Sequence, residues 1–383
     1  MERPCLRGML FAAALLVSAA AFAQSPCAPT GAWTIPGRGT VPAAELLART
    51  AKEAVVLVGE QHDNADHHRW QLQTVAALAA LNSRVAIGFE AFPRRVQPAL
   101  DRWITGELNE EEFLQASEWR QVWGFDPALY LPLFHFARLN RIPMFALNVE
   151  QSLVRAVRAS GFAGVPADKR EGVTRPAPAS EAYLDRLFRT YLEHVEKGKK
   201  GARTDPEFSR FVEAQLLWDR AMAQALAERS RPDTLVIGIL GSGHIVHGHG
   251  VEHQLRDLGV SRVASLLPWG ANDDCKTLAT GLASAVFALP PARPGPPPQL
   301  LGITVGASPE GVRISAVGPG SVAEKAGLRA GDVLLEVAGA VIKDPSQVRP
   351  LVQSVGPGTW LPLKLMRQGE QLELVARFPR RSK

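Results

Sequence analysis

Two glutamates and two histidines, Glu60, His62, Glu90 and His244, stand where short apolar runs of this chain end. The first run closes in Gly59-Glu60-Gln61-His62-Asp63-Asn64 and the second in Glu90. A third closes in Asn148 and a fourth in Gly241-Ser242-Gly243-His244. Carboxylates and imidazoles are ligand types that a hard or borderline divalent ion prefers. The same groups serve equally as general acid and base. Each also has a plainer reading, because Asp, Asn and Glu near a helix start cap it and favour its dipole. Four polar endings on four apolar runs point to a shared ligand or metal site.

Other histidines divide by position. His68 lies four residues before Leu72, on the apolar stripe that continues through Val75 and Ala79, so it reads as a packed side chain. His67 shares the polar face with Gln71 and Thr74 and is a candidate ligand. His247 and His249 follow His244 in a glycine-rich loop, where they read as solvent-facing or as a metal tract.

The elements that would position these groups alternate. Ala54 to Gly59, Val85 to Glu90, Pro143 to Asn148 and Leu235 to Gly241 read as strands, with Val263 to Leu267 as a fifth. Their nearly continuous apolar character is that of parallel strands covered on both faces. Helical patterns run from Asp66 to Leu81, from Val96 to Leu139, from Val149 to Ala159, and from Tyr183 to Arg229 with a break near Gly198. The expected fold is therefore α/β, a parallel sheet flanked by helices, with insertions long enough to form a helical cap. In such sheets ligands bind beyond the carboxyl ends of the strands, where the four polar endings fall.

The N-terminus sets a compartment. Arg3 and Arg7 precede an apolar run from Met9 to Ala21, and Ala21-Phe22-Ala23 offers a signal-peptidase site. Residues 1–23 are expected to be a cleaved export signal and the mature chain to be periplasmic. An uncleaved anchor is the alternative, but the run is short of the about 20 residues a membrane span needs. Pro26 disfavours a lipid anchor on Cys27. The net charge of +5 falls to +4 when the signal removes two arginines and one glutamate, and no Lys/Arg block suggests a nucleic-acid partner. Cys27 and Cys275 then remain, and an oxidising compartment favours one disulfide between them over two isolated thiols.

A proline-rich run, residues 290–298, reads as an extended linker between a main domain, 24–289, and a tail, 299–383. In the tail, Leu301-Gly302-Ile303, Val312 to Val317 and PGSVAEKAGLRAGDVLLEVAG from Pro319 to Gly339 resemble the PDZ domains of bacterial envelope proteases. That resemblance implies a mainly β module that adds a partner's C-terminus as a strand and receives its carboxylate near Leu301, Gly302 and Ile303. Pro350 falls inside the expected second helix, Asp344 to Val355, and would kink or shorten it.

In the main domain, GEQHDNADHH, Glu90, WGFDPALYLP (Trp123 to Pro132), AQLLWDRAMA (Ala214 to Ala223) and GSGH occur in order. Together they resemble the ChaN family of haem-binding uptake proteins, which is grouped with Tiki and erythromycin-esterase-like proteins. The resemblance implies an exported haem- or iron-binding protein, and a homodimer holding a pair of haems through tyrosine. Only Tyr130, Tyr183 and Tyr191 are available, and Tyr130 lies in a matching segment. Tyr130, His62 and His67 are therefore the expected haem ligands, unless Tyr130 simply packs in the cap. Enzymatic relatives imply the alternative, a hydrolase or peptidase, metal-dependent or metal-free, using Glu60, His62, Glu90 and His244.

Overall fold

A computed structural model describes residues 27–194, 201–270, 273–291 and 299–380. The expected export signal, its cleavage site and most of the proline-rich linker lie outside the described residues. The chain divides into two compact units at the junction of residues 292 and 293.

The first unit is built on an eight-stranded sheet. Its strands are β1 (Trp33–Ile35), β2 (Gly39–Val41), β3 (Val55–Glu60), β4 (Val85–Pro93), β5 (Met144–Asn148), β6 (Leu235–Gly241), β7 (Val263–Trp269) and β8 (Ala285–Ala288). They lie in the order β2-β1-β8-β7-β3-β6-β4-β5. From β8 to β5 every neighbouring pair is parallel, while the β1–β2 hairpin joins β8 antiparallel. All six residues of β3 and all seven of β6 are buried, as expected of strands covered on both faces. Neighbouring side chains alternate between two cores: Val56 and Val58 pack with Trp70, Phe89 and Phe134, whereas Val55 and Leu57 pack with Met222, Leu226 and Leu255.

Ten helices of this unit are described. They are α1 (Ala43–Thr50), α2 (Ala65–Leu81), α3 (Gln97–Thr105), α4 (Glu110–Ala116), α5 (Trp119–Val122), α6 (Pro127–Leu139), α7 (Gln151–Ser160), α8 (Glu181–His194), α9 (Pro206–Arg229) and α10 (Val251–Asp257). The single stretch expected over residues 96–139 is four helices, α3 to α6, because the sequence carries its own stops and starts. Gly106 closes α3 at φ +84°, Asn109 and Glu112 form a reciprocal capping box on α4, and Asp126 caps α6 with Pro127 at its first turn. Their apolar faces form the helical cap, a cluster that includes Trp103, Phe113, Trp119, Tyr130 and Phe134. Among the described residues, no helix is long and apolar enough to cross a membrane. Cys27 and Cys275 are joined, closing a 248-residue span with Cα atoms 5.6 Å apart. Such a closure restricts the unfolded chain and typically stabilises by about 2–4 kcal/mol.

The second unit is antiparallel. Its strands β9 (Ile303–Ser308), β10 (Gly311–Val317), β11 (Val333–Val337), β13 (Trp360–Arg367) and β14 (Glu370–Arg377) lie in the order β14-β13-β11-β10-β9, and β12 (Ala340–Val341) pairs with β11. Two short helices, α11 (Val322–Lys325) and α12 (Val348–Gln353), complete it. Buried Asp332 receives a two-pronged hydrogen bond from Arg367, both contacts 2.7 Å. Pro350 does shorten the second helix. A 3-10 turn over Pro345–Gln347 replaces its start, and Pro350 sits within the first turn of α12, where no N–H is required of it.

Candidate functional site

The parallel strands deliver their polar endings to one edge of the sheet, and the register shows how. Glu60 pairs with Gly241 across β3 and β6, and β4 runs on the other side of β6 with Glu90 just past its paired stretch. Glu60, Glu90 and His244 are each less than a tenth exposed.

The four expected residues meet as two carboxylate–imidazole pairs. Glu60 Oε1 holds His62 Nδ1 at 2.8 Å and accepts from the Tyr130 hydroxyl at 2.6 Å. Glu90 Oε2 accepts from the Gly241 N–H at 2.6 Å, and its Oε1 lies 3.4 Å from His244 Nε2. The other nitrogen of His244, Nδ1, is 2.6 Å from Asp219 Oδ1. Gly241 is the hinge between the pairs. A Cβ there would come within 2.9 Å of His62 Cε1, 3.1 Å of His62 Nε2 and 3.5 Å of Glu90 Oε2.

Burial alone would keep His244 neutral, but Glu90 and Asp219 outweigh it and push its pKa up to about 10. Burial likewise disfavours a charged Glu90, yet the His244 charge, His62 and the Gly241 N–H hold its carboxyl below the usual range. His62 is shifted upward too, because the Glu60 hydrogen bond and the Glu90 charge overcome burial. The result at neutral pH is a buried imidazolium between two carboxylates, beside a second imidazole held by a third. Among the described residues, no group of three or more His, Cys, Asp or Glu side chains is arranged to hold a metal ion. The carboxylate oxygens face imidazoles, a phenol and a backbone N–H instead of converging on one point.

The side chain of His62 is 29 % exposed, far more than its neighbours. Its ring packs edge-on to Trp123, 4.6 Å between centroids, and 5.3 Å from Phe125. A cleft of about 220 Å³ lies between Trp123 and Trp218, with Asn148, Arg95 and Arg155 also in its wall. Trp218 stands against the His244 ring, 5.7 Å between centroids, so the two tryptophans of the cleft wall each back onto one imidazole of the pairs. A larger cavity of about 570 Å³ opens at the opposite, amino-terminal ends of the strands, and no acid or histidine lines it.

The remaining expectations are redistributed. His67 does not turn outward: it is buried, and its Nδ1 accepts the Gln61 N–H at 2.9 Å, so it fastens the loop. His68 is packed as expected but also joins the site, with Nδ1 3.4 Å from Glu60 Oε2 and its ring 4.2 Å from that of Tyr130. Asn148 donates to the Glu90 carbonyl at 3.0 Å and serves as a tether. Sequence reasoning missed Asp219 and its second partner, the Tyr183 hydroxyl, 2.6 Å from Oδ2. The signal was present in AQLLWDRAMA, where one carboxylate interrupts an apolar helical face. An acid in such a place needs a buried partner.

Haem, the group the motifs imply, does not fit the residues expected to hold it. Tyr130 is 1 % exposed and its hydroxyl is committed to Glu60, while burial and that carboxylate drive its pKa far upward. His62 spends Nδ1 on Glu60, and its ring packs against Gly241, Trp123 and Phe125. His67 is spent on Gln61.

Comparison with known proteins decides the ancestry. The family described as haem-binding uptake, Tiki superfamily, ChaN matches residues 46–255, and the PDZ domain matches residues 313–361. This chain belongs to the ChaN family. The solved structure of ChaN from Campylobacter jejuni, reported with cofacial haem, is 17% identical with a TM-score of 0.51. It covers 67% of this chain and 95% of its own, a likeness of fold. The PDZ part is similar to a probable periplasmic serine endoprotease, DegP-like, of Halomonas elongata, 40% identical over 62 residues. The match is 16% of this chain and only 13% of that relative's length. A serine endoprotease from Yersinia pestis is 28% identical over 22% of this chain and 30% of its own, with a TM-score of 0.20.

Because His244 bridges two buried carboxylates, His244→Ala should destabilise the first unit by about 3–5 kcal/mol, as breaking a buried ion pair does. The pKa of His244 is raised from 6.5 to about 10, so its stabilisation is full below 6.5 and lost as pH rises through about 10. The gap in unfolding free energy between wild type and variant, measured by chemical denaturation across pH, should therefore be widest below about pH 6.5. It should narrow toward pH 10. A constant gap would mean the imidazole is neutral in the folded protein.

Proposed function

We propose that this chain is an exported haem-binding protein of the ChaN type, acting in haem or iron acquisition in the periplasm. Its PDZ unit recruits an envelope partner by the partner's C-terminus. Membership of the family across residues 46–255 carries the reading. The Ala-Phe-Ala signal site and a cysteine pair joined in the folded chain agree with an oxidising compartment. Titrating the mature chain with haem should produce a saturable Soret-band change of one haem per protomer or per pair. No change would remove the haem reading.

The PDZ part of the proposal rests on β9, which stands at the edge of its sheet and is preceded by Leu301 and Gly302. Gly302 has φ +81°, and a Cβ there would strike the Ser321 side chain at 2.4 Å. Only glycine lets this turn pack so closely before the edge strand. Leu301 is buried in the core and Ile303 is half-buried, so the backbone rather than these side chains would meet a peptide. Peptides with a free C-terminal carboxylate should bind the full chain about tenfold or more tighter than amidated copies, a difference of 1.4 kcal/mol or more. Equal affinity in a fluorescence-anisotropy titration would exclude carboxylate capture.

The two carboxylate–imidazole pairs favour a second reading, hydrolysis. His62, oriented by Glu60 and partly exposed, has the placement of a general base, and His244 that of a fixed positive charge that stabilises developing negative charge. Ester and amide substrates screened against the purified chain should then show turnover. His62→Ala should lower it by about 10²-fold or more. Turnover unaffected by this substitution would place any activity elsewhere.

A further inference from the structure

The cavity of about 570 Å³ at the amino-terminal ends of the strands takes no part in the chemistry described so far. It opens between the carboxyl ends of α2 and α6, against the starts of β4, β5 and β6. Its volume falls in the range of small-molecule sites, about 300–1,000 Å³. Ala76, Ala79, Phe136 and Ile142 give it an apolar wall. No histidine, tyrosine, cysteine or methionine lines it, so nothing there would grip an iron, and the cavity stands apart from the haem reading.

Its free polar groups are cationic. The two asparagines of the lining are spent locally: Asn82 accepts the Arg84 N–H at 2.9 Å and donates to the Ala51 carbonyl, and Asn140 donates to the Phe136 carbonyl at 2.8 Å. Arg84 and Arg141 remain, with no acid in the wall to answer them. Arg84 reaches only Asp233, at 3.8 Å, and both side chains are more than two-thirds exposed, so water screens the pair. The guanidinium of Arg141 has no hydrogen-bond or ion-pair partner among the described residues. The carboxyl ends of α2 and α6 carry about half a negative charge each, so two guanidiniums leave about one positive charge over.

Arg141 also holds its place against local preference. The Ile142 N–H donates to the Ala137 carbonyl at 2.8 Å and the Arg141 N–H to the Arg138 carbonyl at 3.1 Å. In this paired closure of a helix the left-handed position normally belongs to glycine. Here arginine occupies it, at φ +51°. Side chains kept in so unfavourable a conformation gather at ligand clamps.

We infer that this cavity binds a small organic anion, a carboxylate or sulfonate carried on an apolar body. Arg84 and Arg141 take the charged group, for which a guanidinium offers a planar, two-pronged set of donors. The alanines of α2 leave the room that the apolar body fills against Phe136 and Ile142.

The test is fluorescence titration of the mature full chain with anilinonaphthalene sulfonate, beside N-phenylnaphthylamine, the same aromatic body without the sulfonate. The variants are Arg141→Gly, Arg84→Gln and Ala80→Trp, the last filling the cavity from an exposed position on its lining. Glycine relieves the left-handed position, so Arg141→Gly should keep or raise the thermal midpoint, which separates lost binding from lost folding. The sulfonate should bind saturably at one site per chain, with the neutral probe about tenfold or more weaker. Arg141→Gly and Arg84→Gln should each weaken the sulfonate about fivefold or more and leave the neutral probe within about twofold, whereas Ala80→Trp should weaken both. Dodecanoate should displace the sulfonate from the wild type. Equal affinity for the two probes, or wild-type sulfonate binding by Arg141→Gly or by Ala80→Trp, overturns the assignment. So does co-sedimentation with phosphatidylglycerol vesicles without a response to either free anion, which would give the arginines to a membrane surface instead.

Discussion

A carboxylate without water governs the centre of this molecule. Glu90 lies in the middle of the sheet edge, and three groups from three directions keep its charge affordable there: the Gly241 N–H from β6, the His244 imidazolium, and the nearby His62. Each of those groups is in turn fixed by something else. His244 is held by Asp219 from α9, and His62 by Glu60, itself tied to the cap through Tyr130. Remove the charge on Glu90 and the reasons for these placements disappear together. The sheet order explains how residues 60, 90 and 244 meet at all, because parallel pairing of β3 and β4 on either side of β6 brings their carboxyl ends side by side.

The four central strands were legible because fully buried parallel strands spell themselves as unbroken apolar runs. The polar residue ending each run was legible for the same reason, as the first break in hydrophobicity. The sheet margins were not. β1, β2 and β8 are three or four residues long, too short for any periodicity, and only pairing with one another and with β7 makes them strands. Helix stops such as Gly106 were local signals, available but hidden inside a stretch whose apolar content stayed high.

Side-chain destinations were harder to read than strand positions. His67 and His68 are adjacent and both buried, and helical periodicity could not say which would reach Glu60. Asp219 needed knowledge of an element 25 residues away in sequence. Tyr130 shows the deeper difficulty. A phenol can be a metal ligand or a hydrogen-bond donor in a core, and only the location of Glu60 relative to α6 separates the two. In this chain the family's α/β frame is present, and its three tyrosines are all buried.

Helix α9 adds something that static distances do not express. It packs against β5, α7, α8 and α10, and contributes to three of the apolar clusters in addition to carrying Asp219. A segment embedded on so many sides opens only when most of the domain opens, so its amide protons belong with the slowest to trade with solvent. His244 is clamped through Asp219 by this slow-opening helix, whereas His247 and His249, further along the same loop, stand beside Gly248 and Gly250. Whatever molecule meets this edge encounters a rigid floor and a yielding rim.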